Sequence, residues 1–83
     1  MNVFEIGLRS QPGVTYRAHG IIVHKLNSTE LLTPDSREVL TKLEIYLSSN
    51  SVRFIKAYGA KDLIEEVLLN VDDIANVRVV DID

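Results

Sequence analysis

The chain reads as a single α+β domain, a mixed three- or four-stranded sheet packed with two or three helices. Three observations predict it. Apolar and polar residues alternate near the N-terminus, the signature of a half-buried strand. Two later stretches carry apolar residues at helical spacing. β-branched runs lie between and after them, giving the order strand, strand or helix, helix, strand, helix, strand. Eighty-three residues suffice for one hydrophobic core and not for two.

In the first strand, 3–9, Phe4, Ile6 and Leu8 alternate with Glu5, Gly7 and Arg9. Gln11-Pro12-Gly13-Val14 stops it. Proline presets φ at the second turn position and glycine accepts positive φ at the third, as a type II turn requires. Residues 14–27 fit two states. As a strand, Val14, Thr15, Tyr16, Ile21, Ile22 and Val23 have β-branched and aromatic character, and Gly20 marks a bulge or a close backbone approach. As a helix, Ala18, Ile22 and Leu26 stack on one face. The β-branched triplet and the tight turn before it favour the strand.

Thr33-Pro34-Asp35 reads as a helix start, with threonine to cap, proline at the first position and aspartate at the positive dipole end. Val39, Leu40, Leu43 and Leu47 then predict a helix over 34–48. Residues 52–58 read as a strand with apolar residues on both faces. Ala60, Leu63, Ile64, Val67 and Leu68 predict a second helix over 60–70, with Asn70 as its C-terminal cap. A last strand covers 75–82. Leu43, Leu63, Val67 and Ile55 are the expected core. With both helices on one face, the other stays open, and Phe54, Tyr58, Tyr16 or the Ile21–Val23 run can line it.

The net charge is −3, divided into +3 over residues 1–61 and −6 over residues 62–83. A pI near 5.3 argues against binding driven by a nucleic-acid backbone, which needs a basic stripe. The chain has no cysteine, so it offers no disulfide and no thiolate nucleophile. No apolar run reaches the roughly 18 residues that span a bilayer. The first residues lack the pattern of a signal peptide. The expectation is a cytoplasmic protein with no membrane partner.

No catalytic constellation, cofactor motif or metal set emerges. His19 and His24 stand five apart and lack a third ligand nearby. Asp72, Asp73, Asp81 and Asp83 show no calcium-loop spacing. The serines of Ser48-Ser49-Asn50-Ser51 have no adjacent base. Gly59, Ala60 and Lys61 sit between an expected strand and an expected helix, where free backbone N–H groups can hold an anion.

Gly13-Val14-Thr15-Tyr16-Arg17-Ala18, followed by Val23, resembles the active loop and first helix of the HPr phosphocarrier family. Gly13, Val14 and Arg17 match. Thr15 replaces the phosphorylated histidine and Ala18 the proline, so the resemblance implies a degenerate, anion-linked regulatory member. Ile55-Lys56-Ala57-Tyr58-Gly59-Ala60 resembles the strand-to-helix turn of Alba-like nucleic-acid-binding proteins, which are basic.

The reading that follows is a non-catalytic interaction or regulatory module that associates with itself, most simply as a two-fold homodimer. Tyr16, Arg17, Ile21, Ile22 and Val23 are the expected contact surface. The alternatives are an HPr-like or other small-ligand, anion-linked regulator, and a nucleic-acid binder using Arg17, Lys25, Arg53 and Lys56.

Overall fold

The computed structural model describes residues 1–59 and 66–82. Alternating apolar residues form β1, Asn2–Leu8, and the Pro12–Gly13 turn reverses the chain into β2, Thr15–His24. The turn is the expected one: Gly13 has φ +84° and Val14 N–H donates to Gln11 O at 3.1 Å. Then come β3, Thr29–Leu32, the helix α1, Val39–Leu47, and β4, Phe54–Gly59. β5, Glu66–Asn70, follows, and one 3-10 turn over Val71–Asp73 leads to β6, Ile74–Asp81.

The sheet has six strands in the order β5-β4-β2-β1-β6, with β3 paired to β2. Every pairing is antiparallel. This overturns the expected mixed sheet of three or four strands with two or three helices: among the described residues there is one α-helix. Within residues 14–27, Thr15–His24 resolve as strand. β2 holds the sheet together, because β4 pairs with Ala18–Val23 on one edge while β1 and β3 share the other. The register shifts between Ala18 and Gly20, the bulge that the glycine suggested.

The second predicted helix is the largest correction. Residues 66–70 are a strand that pairs with β4 from Phe54↔Asn70 to Tyr58↔Glu66. Five apolar positions within 60–68 satisfied a helical stripe, but a short apolar run cannot by itself exclude a strand. The unpaired edge of β4 decides it. Asn70 caps the following 3-10 turn instead, its side chain accepting from Asp72 N–H at 2.9 Å. Leu63, expected in the core, lies outside the described residues, and Val67 is 40% exposed.

The first predicted helix is shorter than 34–48. Ser36 N–H donates to Thr33 O in a tight turn at 3.1 Å, and Glu38 adopts a left-handed φ of 60°. A non-glycine residue there interrupts a right-handed helix, so α1 starts at Val39. The strand Thr29–Leu32 was not foreseen, since TELL has no alternating pattern.

The core lies between α1 and one face of the sheet, called here the near face. Phe4, Ile6, Ile21, Val23, Ile55 and Leu43 are fully buried there, with Leu32, Val39, Leu69 and Ile74 around them. Burial of such a side chain contributes about 1.5–3 kcal/mol. Leu43 and Ile55 are thus in the core as expected. Among the described residues no helix is long and apolar enough to cross a membrane.

Candidate functional site

The strand registers sort side chains between the near face and the far face, opposite α1. On the far face, Leu31 of β3, Ile22 of β2, Lys56 of β4 and Leu68 of β5 lie side by side in one row. Phe54 and Tyr58 flank Lys56 along β4 on the same face. Leu31 and Leu68 are 59% exposed and Phe54 is 46% exposed, while Ile22 and Tyr58 are half-buried. Leu31 reaches over Gly20, where a Cβ would lie 3.1 Å from Leu31 Cδ1. Among the described residues, the charges in this row and beside it are Lys56 and Glu66, whose Nζ and Oε1 stand 3.9 Å apart. Burial and the neighbouring Glu66 charge raise the Tyr58 hydroxyl pKa.

The other half of the far face is polar at its centre, with the buried Val3 and the half-buried Val80 beside it. Glu5 is buried at 7% exposure in a row between Arg17 and Arg78 on the adjacent strands. Arg78 Nε donates to Glu5 Oε1 at 2.8 Å and its Nη2 contacts the same oxygen, while Arg17 Nε donates to Oε2 at 3.4 Å. Hydrogen bonding to Arg78 leads the effects that hold the Glu5 pKa below its ordinary range, against the pull of burial. Gly7 lies beside this row, and the Asn76 side chain lies over it.

The predicted contact residues therefore divide. Ile22 and Arg17 are on the far face. Ile21 and Val23 are fully buried in the core, and Tyr16 is half-buried against it, its hydroxyl donating to Gln11 Oε1 at 3.0 Å. In a strand, neighbours point to opposite faces, so the Ile21-Ile22-Val23 run could never present all three side chains to one partner. Sequence reasoning missed Leu31 and Leu68, one in an unassigned stretch and one placed on a helix. It did place Phe54 and Tyr58 on an open face.

The other candidates separate too. Gly59 ends β4, and Ala60 and Lys61 lie outside the described residues. His19 is the extra residue of the β2 bulge, and its buried Nδ1 has no hydrogen-bond partner among the described residues; His24 is exposed at the strand end. Among the described residues, no three potential ligands gather as a metal site would require. Asp73 accepts from Ser10 N–H at 2.8 Å and Ser10 Oγ at 2.6 Å, and Asp81 from the Met1 amine at 2.7 Å.

On the near side, Glu30 of β3 accepts from Tyr46 OH at 2.5 Å, Lys42 Nζ at 3.1 Å and Lys25 Nζ at 3.2 Å. These bonds, led by Tyr46, lower its pKa to about 2. The Lys25 ammonium also stands 5.5 Å from the centre of the Tyr46 ring. The cluster fastens α1 to β3. A cleft of about 560 Å³ lies between α1 and β6, lined by Leu40, Leu43, Leu47, Ile74 and Val77 with Arg9 and Glu44 at its margin.

No protein-family model, curated protein or solved structure matches this chain.

Proposed function

We propose that the chain is a non-catalytic protein-interaction module that binds a second copy of itself through the apolar half of its far face. One observation carries this reading: Leu31, Ile22, Leu68 and Phe54 cluster around Lys56 on one sheet face, with Leu31, Leu68 and Phe54 exposed. Patches beyond a few hundred Å² are rare on monomers and mark interaction sites. The surface also suits its own copy electrically. The chain is net negative, but among the described residues this patch carries one cation and one anion side by side. About a two-fold axis, Lys56 of each copy can face the partner's Glu66 without like-charge repulsion.

The alternatives draw less support. Arg17 and Lys56 share the far face, but Lys25 is bound to Glu30 beside α1, and Arg53 lines a separate cleft near the end of α1. The four basic residues form no single stripe for a nucleic-acid backbone. The segment that resembles the HPr loop and helix is a turn followed by β2.

Sedimentation at micromolar concentrations tests the proposal. Association is expected in the wild type, and Leu68→Glu is expected to halve the assembled mass. A monomer at every concentration, or a mass unchanged by Leu68→Glu, overturns it.

A further inference from the structure

We infer that the open edge of β6 is a second contact surface, at which another copy adds its own β6 in antiparallel pairing. This rests on the self-association reading and adds a separate interface to it.

The backbone identifies the groups that make the contact. Ile82 N–H donates to Met1 O at 2.7 Å and the Met1 amine to Ile82 O at 2.8 Å. In an antiparallel ladder, such doubly bonded pairs alternate with unbonded ones. Counting back along the β1–β6 register, Val80, Arg78 and Asn76 bond to β1. The N–H and C=O groups of Val77, Val79 and Asp81 therefore point away from β1. Among the described residues nothing pairs with that edge.

Exposed edges are normally blunted by shortness, proline, bulges or free charge. β6 has eight residues and no proline; its one bulge is at Ala75, near its start, and its register is regular from Asn76 to Asp81. Its one cation, Arg78, is bound to Glu5. The row of free donors and acceptors is matched only by another extended strand. Beside it lies the apolar cleft under α1, over which an added strand sets its near-face side chains.

β6 itself fits that place. A two-fold axis normal to the sheet pairs residues of like orientation. The register centred on Arg78 sets two arginines opposite each other, which is repulsive. The register centred on Val79 avoids this and keeps the contact within the regular stretch 76–81. Val79 meets the partner's Val79 through two outward-pointing backbone bonds, and Val77 meets the partner's Asp81 in the same way on either side. Arg78 then stands opposite the partner's Val80. The far-face axis runs parallel to the sheet, perpendicular to this one. Either contact alone makes a pair; both together carry the assembly beyond a pair, closing at four copies where the two axes intersect.

Sedimentation of the whole chain and amide exchange followed by NMR test the inference. The expected wild-type mass is more than twice 9.3 kDa. Val79→Pro removes an N–H that points to the open edge and spares the β1 ladder. It should reduce the mass to that of a pair, as should Leu68→Glu, and the double variant should be a single copy. In the wild-type assembly the Val77 and Val79 amides should exchange as slowly as that of Arg78, a readout that needs no variant. Fast exchange at Val77 and Val79 beside a protected Arg78 overturns the edge contact. So does an unchanged mass in Val79→Pro with Arg78 still protected. If Leu68→Glu yields single copies while Val79→Pro changes nothing, the edge fails and the far-face contact stands. The opposite pattern keeps the edge and rejects the far face.

Discussion

The two halves of the far face are built on one strand and behave in opposite ways. Around β1 and β6, Glu5 is buried between Arg17 and Arg78, and each of the three charges has a partner. Five residues along β2 from Arg17, Ile22 begins a row in which Leu31 and Leu68 stand more than half exposed. The first half satisfies its groups within the chain. A buried carboxylate must be paired, so its neighbours are dictated by the fold itself. The second half leaves apolar surface in water, which costs free energy until something covers it. The difference separates a part of the surface that is closed from a part that is open to a partner.

The largest effects test whether both halves rest on one core. Phe4 lies beneath the polar half and Ile55 beneath the apolar half, and both are fully buried. Phe4→Ala should cost about 3–5 kcal/mol and Ile55→Ala about 2–5 kcal/mol in urea unfolding. A loss at one site alone would mean that the halves unfold separately.

Acid sharpens the comparison next. Glu30 has a folded-state pKa of about 2 against an ordinary 4.5, and Glu5 is shifted in the same direction. A depressed carboxylate pKa contributes stability above the unfolded value and loses it as pH falls through the folded value. For Glu30 that loss spans pH 4.5 to about 2. The melting temperature should fall across this window, and Glu30→Gln should flatten part of the fall. Glu5→Gln should flatten a further part that reports on the polar half, whereas Leu31→Glu should not flatten it. A wild-type profile that is level below pH 4.5 would contradict both assignments.

Leu31→Glu should weaken association while shifting monomer stability by only about 0.5 kcal/mol, the scale of an exposed substitution. Sedimentation and thermal melting separate the two readouts. A large loss of stability would place Leu31 in the fold rather than on a contact surface.

The smallest expected effect is that of salt. The apolar half is electrically balanced by Lys56 and Glu66, and exposed pairs of this kind are weak and screened. Raising sodium chloride tenfold should change the association constant little. A steep decrease would show that charge, not apolar contact, holds the copies together.

By itself, the sequence determined the features whose cause is local. Phe4, Ile6 and Leu8 mark β1 by alternation, and Pro12-Gly13 marks the turn by the φ values each residue permits. Leu43 and Ile55 mark the core, and Phe54 and Tyr58 mark an open sheet face. Tertiary structure decided what local patterns leave degenerate. Residues 66–70 carry an apolar run that suits a helix or a strand, and the unpaired edge of β4 selected the strand. Thr29–Leu32 has no periodic signal and exists as a strand because β2 offers it hydrogen bonds. The sorting of Ile21, Ile22 and Val23 followed from a bulge and from pairing on both sides of β2. Glu5, Arg17 and Arg78 became one cluster only when distant strands came into register. The same holds for the contact surface: Leu31, Ile22 and Leu68 are far apart in the chain, and only the sheet makes them neighbours. Non-local hydrogen bonding and burial set those relations, and no window of sequence contains them.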